Sequence, residues 1–229
     1  MTSALAVVCD FDGTATLLDI GDEISKQFGG RAHLEQQKAM FGRGELTTRD
    51  IIEGIYTHVR ASEKEICDFV VGAAHLRPGF DDLVRAARDR GAPFILASGG
   101  LRQYIDAVLA AHLPSELSAH VQVRANEAVF TEEGLRVRFP GEAASRLAGC
   151  SVCGSCKRVS VAEVRGAGAG YVIGLGDGFA DRCLAEFSDR TFARQDSYLQ
   201  KYCLEHGVPH TPFVELYQAA EAVRRHGAC

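Results

Sequence analysis

Ala4-Leu5-Ala6-Val7-Val8-Cys9-Asp10-Phe11-Asp12-Gly13-Thr14 decides how the rest of this chain is read. Six small or branched apolar residues follow one another without helical spacing, the pattern of a strand buried on both faces. The run stops abruptly at two carboxylates, a glycine and a threonine. An ionised carboxylate against such a strand is costly unless something pairs with it. Two at one strand end therefore predict a metal cation there, and in open α/β sheets ligands sit outside the carboxyl ends of the strands. The plainer reading of Asp-x-Asp-Gly is a turn whose side chains cap backbone N–H groups. The apolar strand in front of it favours a site.

Two further apolar runs end in chemistry of the same kind. Phe94-Ile95-Leu96-Ala97 leads into Ser98-Gly99-Gly100, and Tyr171-Val172-Ile173-Gly174-Leu175 leads into Gly176-Asp177-Gly178-Phe179-Ala180-Asp181. Helical patterns fill the intervals. Helices are predicted over 19–28 and 32–41, each stopped by glycine, then from Thr47-Thr48 with Ile51, Ile52, Ile55 and Tyr56 on one face, and from the capping box Ser62 to Glu65. Further helices are predicted from Pro78-Gly79 to Arg90, 101–112, Lys157 to Gly166, 182–187 and 213–225. Alternation over 120–139, with a turn at Glu132-Glu133-Gly134, predicts a hairpin, and 191–193 a short strand. Strands alternating with helices give an α/β fold with a parallel sheet covered on both faces. About sixty residues of helix after the first strand exceed one ordinary crossover and predict a helical lid.

A chain of 229 residues has room for one core, or a core with a smaller insertion. Hydrophobic residues at 46% and charged residues at 24% suit a soluble globular protein. The net charge of −5 offers no general basic surface, so neither nucleic acid nor membrane is an expected partner. No run approaches the roughly 18 apolar residues of a membrane helix, and the apolar start is too short for a signal peptide. With eight cysteines scattered through apolar stretches, reduced thiols and a cytoplasmic location are expected. A homodimer is left open.

The candidate chemistry is phosphoryl transfer to a carboxylate. Asp10 is read as the nucleophile, since forming an acyl phosphate splits one hard displacement into two easier ones. Asp12 is read as the acid that protonates the leaving oxygen and then deprotonates water. Substrate charge must be neutralised, which calls for Mg²⁺. Asp10, Asp12 and Asp177 are its expected ligands, with Asp181, one turn on, orienting its waters. Asp177 also suits a helix N-cap. Ser98 with the N–H groups of Gly99 and Gly100 at a helix start suits phosphate oxygens, although a serine N-cap is common. Lys157 is the cation that would reach Asp10 and a phosphoryl oxygen, although most lysines are solvated. Gly174-x-Gly-x-Gly lacks the third glycine of a dinucleotide loop. Cys153 and Cys156 have zinc-knuckle or redox spacing with Cys150 a third ligand, but no second Cys-x-x-Cys or His pair follows.

In this order, Asp10-Phe11-Asp12-Gly13-Thr14, Ser98, Lys157 and Gly176-Asp177 through Asp181 resemble the four motifs of the haloacid dehalogenase (HAD)-superfamily phosphatases. The likeness spans nearly the whole chain. It implies a Rossmann-like core over 1–14 and 76–229 and an inserted all-helical type-1 cap over 15–75, as in the phosphoserine-phosphatase-like branch. It also implies Mg²⁺, Asp10 as phosphoacceptor, Asp12 as acid/base, Ser98 and Lys157 on the phosphoryl group and Asp177 on the metal. Asn126-Glu127-Ala128, Cys153-Gly154-Ser155-Cys156-Lys157 and Phe192-Ala193 resemble the phosphatases of methionine salvage that act on 2-hydroxy-3-keto-5-methylthiopentenyl-1-phosphate. Asp19 stands where phosphoserine phosphatases carry a glutamate, and Arg49 is the cap residue read as meeting a substrate oxygen. Ser155 and Arg158-Val159 depart from the salvage pattern. The expected partner is a small phosphorylated metabolite, Gly99 and Asp19 joining Ser98 and Arg49 in binding it. The rival activities are phosphoserine hydrolysis, phosphotransfer to another alcohol, a phospho-aspartate receiver, or a zinc-binding interaction module at the cysteines.

Overall fold

The computed structural model describes residues 4–227; residues 1–3 and 228–229, assigned above to the core, lie outside the described residues. Seven strands, β1 (Leu5–Cys9), β2 (Phe94–Leu101), β3 (Val121–Thr131), β4 (Gly134–Arg138), β5 (Tyr171–Gly176), β6 (Arg190–Arg194) and β7 (His210–Phe213), form one sheet in the order β4-β3-β2-β1-β5-β6-β7. Every neighbouring pair is parallel except the β3–β4 hairpin. The opening run is the middle strand, flanked by the other two that end in candidate site residues. Successive strands leave β1 in opposite directions, the topological switch point at which such sheets open a crevice.

Alternation along β1 explains its unbroken apolar character. Leu5, Val7 and Cys9 enter the larger core cluster on one face, while Ala6 and Val8 pack on the other with Ile95, Val161, Val164 and Val172. The sheet is a buried central layer.

Four helices, α1 (Ile20–Ile24), α2 (Arg31–Gly42), α3 (Thr48–Tyr56) and α4 (Glu63–Ala73), lie between β1 and β2. Capping boxes start α3 at Thr47 and α4 at Ser62, the second as its spacing predicted. The single helix expected over 19–28 stops at Ile24 and loosens into a wide turn, Ser25–Gly30. Tyr56, Val59, Ile66 and Val70 join the same apolar cluster as the sheet residues, so the insert and sheet share a continuous interior. The two chain crossings into the insert are paired: Thr16 bridges Leu76, and Arg77 N–H donates to Ala15 O at 2.7 Å.

The remaining helices are α5 (Phe80–Asp89), α6 (Arg102–His112), α7 (Ser115–Ser118), α8 (Glu142–Leu147), α9 (Lys157–Gly166), α10 (Arg182–Phe187), α11 (Tyr198–His206) and α12 (Tyr217–Arg225). Two expectations change. Phe213 ends β7 instead of opening a helix, which starts at Tyr217; β7 is a short edge strand containing Pro212, tolerated only at an edge. Ser98-Gly99-Gly100 does not open a helix either. These residues continue β2 through an irregular register, and α6 starts at Arg102. Among the described residues, no helix is long and apolar enough to cross a membrane.

Candidate active site

Leaving β1, the backbone turns sharply over Phe11–Ala15, with Gly13 at φ +75°. Only glycine adopts this conformation freely, and a β-carbon there would lie 2.7 Å from Asp177 Oδ2. The turn therefore brings the first loop against the loop that follows β5. Arg77, almost fully buried, fastens it by donating to the carbonyls of Gly13 (2.6 Å), Thr14 (2.7 Å), Thr16 (3.1 Å) and Val214 (3.0 Å).

Three carboxylates converge at the strand ends. One oxygen each from Asp10, Asp177 and Asp181 lies within 4.8 Å of the others. Lys157, at the first turn of α9, is buried and ion-paired to both Asp10 and Asp181. The other oxygen of Asp181 accepts the backbone N–H groups of Asp177 (2.9 Å) and Gly178 (2.7 Å), which fixes the loop after β5. Thr14 Oγ1 donates to Asp177 at 2.8 Å and Arg194 donates at 3.2 Å. Burial, and then the neighbouring Asp181 charge, push the Asp10 and Asp177 carboxyls above their ordinary range despite Lys157. Oxygen donors this crowded, with negative charge in excess of the cations between them, fit a hard divalent ion such as Mg²⁺.

Asp12 turns into a separate network. Its carboxylate accepts from Tyr104 Oη (2.7 Å), Ser98 Oγ (3.2 Å) and the Ile20 N–H (3.0 Å), and burial raises its carboxyl to about 6 against those hydrogen bonds. A β-carbon at Gly100 would collide with the Tyr104 hydroxyl, so the glycine admits this tyrosine to Asp12. Ser98 Oγ also accepts the Gly100 N–H at 2.8 Å.

Above both networks opens a cleft of about 220 Å³, walled by the insert through Phe41, Thr48, Ile51, Ile52, Ile55 and Tyr56, and by Asp19, Gly99, Gly100 and Phe179. The haloacid dehalogenase-like hydrolase family model matches residues 7–186, the stretch that carries every carboxylate just described. The chain belongs to that family.

Relatives of this haloacid dehalogenase-like hydrolase include the 2-hydroxy-3-keto-5-methylthiopentenyl-1-phosphate phosphatase of Geobacillus kaustophilus, 30% identical over 230 residues covering 98% of each chain. The bifunctional enzyme MtnB/MtnX of Bacillus licheniformis is 30% identical over 209 residues, 90% of this chain but 46% of that longer relative. Similar solved structures include a phospho-aspartyl intermediate analogue of phosphoserine phosphatase, with TM-score 0.65 and 15% identity over 88% of this chain and 91% of that one. A HAD-family hydrolase from Salmonella enterica serovar Typhi superposes with TM-score 0.76 and 15% identity over 100% of this chain and 73% of that one. The solved structures confirm the α/β fold of the family.

Within this family member, the residues singled out in the sequence separate into three places. Asp10, Lys157, Asp177 and Asp181 meet at the cluster. The side chains of Asp12 and Ser98 form the second network, so the converging third carboxylate is that of Asp181 and not that of Asp12 as the sequence reading had it. Asp19 stands at the cleft wall, where its carboxylate caps α1 by accepting the Asp22 N–H at 2.9 Å. Arg49 lies outside the cleft, which corrects its assignment to substrate. Helix α3 turns Thr48, Ile51, Ile52 and Ile55 inward, so Arg49 faces away to pair with Glu53 (3.0 Å) and Glu142 (3.4 Å) and to cover the Phe139 ring. Tyr104, Arg77 and Arg194 escaped the sequence reading, while Thr14 and Tyr56 entered it only as part of a motif and of a helix face. A tyrosine within an amphipathic helix and an arginine before Pro78 carry no local signal of a partner far away in sequence.

Proposed function

We propose that this phosphoric monoester hydrolase works through an aspartyl-phosphate on Asp10 and acts on 2-hydroxy-3-keto-5-methylthiopentenyl-1-phosphate. The observation that carries the mechanism is the division of two nearby carboxylates between two environments: Asp10 paired with Lys157 in the acidic cluster, Asp12 raised to about 6 beside Tyr104 and Ser98. Asp10 is the carboxylate that Lys157 holds in the acidic cluster, placed to attack phosphorus, and Asp12 is the one that exchanges a proton near neutrality.

An Asp10 oxygen attacks phosphorus as the ester oxygen leaves, and Asp12 gives that oxygen its proton. Asp12 then takes a proton from water, whose oxygen attacks the aspartyl-phosphate and releases inorganic phosphate and Asp10. Lys157 holds Asp10 in position and faces the charge that develops on the phosphoryl oxygens. Asp10 and Asp177 would hold Mg²⁺, with Asp181 ordering the loop behind them. Bound there, the ion supplies positive charge to the phosphoryl group. The helical insert, α1–α4, serves as the cap that excludes bulk water from the acyl phosphate.

The substrate choice is supported by the named relatives and by the cleft itself. Ile51, Ile52, Ile55, Phe41 and Phe179 give it an apolar wall suited to a methylthio-alkyl tail, while Asp19 and the Tyr104 oxygen offer acceptors for a substrate hydroxyl. Among the described residues lining it, Lys157 is the one lysine or arginine, and Asp10 and Asp181 already hold it. The carboxylate of phosphoserine finds no cation to meet.

The test is phosphate release from a panel that includes the methylthiopentenyl phosphate and phosphoserine, with and without Mg²⁺. Turnover is expected to need the metal, to favour the methylthiopentenyl ester and to fall at least about 10³-fold in Asp10→Asn. Retained activity in that variant would overturn the covalent mechanism. Preference for phosphoserine would overturn the substrate assignment.

A further inference from the structure

We propose that Cys150, Cys153, Cys156 and Cys183 form a structural zinc site, independent of the acidic cluster, that fixes the start of α9 and so the position of Lys157. The sulfurs of Cys150, Cys153 and Cys156 all lie within 4.8 Å of one another. The Cys183 residue, from α10, packs against this trio beside Cys156 but lies outside the mutually close group, and it is the fourth ligand of the proposal. A tetrahedral zinc with Zn–S bonds of about 2.3 Å separates its sulfurs by about 3.8 Å, so the three need little rearrangement to close on one ion, with Cys183 drawn in from α10 as the fourth.

The surroundings favour a metal over small apolar thiols buried by chance. Residues 148–156 form no helix or strand, and besides the cysteines their one branched apolar residue, Val152, is 41% exposed. The sulfurs are thus the interior of this loop. Buried Ser145 holds both ends, its carbonyl accepting the Cys150 N–H (2.9 Å) and its hydroxyl the Cys156 N–H (2.8 Å). Four thiolates leave zinc with a net charge of about −2, and the Arg158 guanidinium lies 3.4 Å from the Cys183 sulfur to offset it.

Zinc is favoured over other thiolate chemistry by the same geometry. Cys-x-x-Cys-x-x-Cys is also an iron–sulfur spacing, but there each thiolate binds a different iron and the sulfurs spread around the cluster. Here the three sulfurs of the run crowd about one point. On binding, the ion displaces the thiol protons to solvent and no electron is transferred.

The position gives the site its consequence. Lys157 directly follows Cys156, and its ammonium reaches Asp10 and Asp181. From the same loop, Val152 O accepts the Arg49 N–H of α3 (3.0 Å), and Ser155 donates to Asn126 (2.6 Å), which donates to Gly99 O (2.7 Å). One ion would hold the lysine, the cap and the strand β2 terminus in register.

The experiment is metal analysis of the full chain purified without added zinc. About one zinc per chain is expected, unchanged in Asp10→Asn and lowered in Cys153→Ser and in Cys183→Ser. Because a cysteine variant can fail to fold, Co²⁺ is also exchanged into the unaltered chain, where thiolate-to-cobalt charge-transfer absorption is expected. A chain that holds no zinc and gives no such absorption overturns the site, whether its thiols are free or joined as disulfides. Iron with acid-labile sulfide overturns it in favour of a cluster. Zinc lost in Asp10→Asn and kept in the cysteine variants assigns the ion to the acidic site instead.

Discussion

A β-carbon added at Gly13 would meet two constraints at once, the positive φ of +75° and Asp177 Oδ2 at 2.7 Å. The first costs about 1–2 kcal/mol for an L side chain; the second pushes a candidate metal ligand out of place. Gly13→Ala is therefore expected to raise the Mg²⁺ concentration needed for half-maximal activity by roughly 10- to 100-fold, read from a metal titration of phosphate release. An unchanged metal requirement would mean that Asp177 is not held by this contact. Arg77 acts on the same turn from the other side. Its guanidinium satisfies four backbone carbonyls that water does not reach freely, and an unsatisfied buried acceptor costs about 1–3 kcal/mol. Arg77→Leu is expected to lose at least about 3 kcal/mol in urea unfolding, with Arg77→Lys recovering only part because it lacks the planar fork.

The capping boxes make the insert's helices sensitive to acid. In α3, Asp50 accepts from the Thr47 hydroxyl (2.6 Å) and backbone N–H (2.9 Å), which hold its carboxyl below its ordinary value. Unfolded, the same group titrates near 3.9. A carboxyl with a depressed folded pKa binds fewer protons when folded, so its stabilisation is fully present above about pH 4 and is lost as pH falls through the folded value. Asp50→Ala is thus expected to lower the urea midpoint at pH 7, with the gap to the unaltered chain closing as pH falls below about 4. A gap independent of pH would show that the side chain acts by packing. Glu65 in α4, lowered by its hydrogen bonds from Ser62, obeys the same sign.

Across the whole molecule, the helical insert and the sheet's loops meet over the cleft through aromatic contact. Phe41 from α2 lies edge-on to Phe179, which follows β5, at a centroid distance of 5.0 Å. Such a pair is worth about 0.5–1.5 kcal/mol, roughly a two- to tenfold change in an equilibrium. Both rings line the cleft, so Phe41→Ala is expected to lower kcat/KM two- to tenfold, mainly through KM, while thermal stability stays near that of the unaltered chain. A fall in kcat alone would place the contact in the chemical step instead. The insert remains tied to the sheet elsewhere: Leu135 N–H in β4 donates to Val59 O at 3.3 Å, and the chain crossings at Thr16 and Leu76 are paired.

The sequence by itself determined the central strand, because an apolar run buried on both faces has no other comfortable place, and it determined the carboxylates at its end, because burial makes them costly without a purpose. Ser62 announced its helix because a capping box is a contact between residues three apart. Tertiary structure alone decided what those local patterns cannot encode. Asp12 turned to Tyr104, Asp181 took its place in the acidic cluster and Arg49 faced away from the cleft because partners from distant elements fixed each side chain. Ser98-Gly99-Gly100 stayed in β2 and Phe213 closed β7 because pairing with neighbouring strands outweighed local turn and helix propensity. The cysteines show the same limit, since Cys183 packs against Cys156 only when α10 packs on α9.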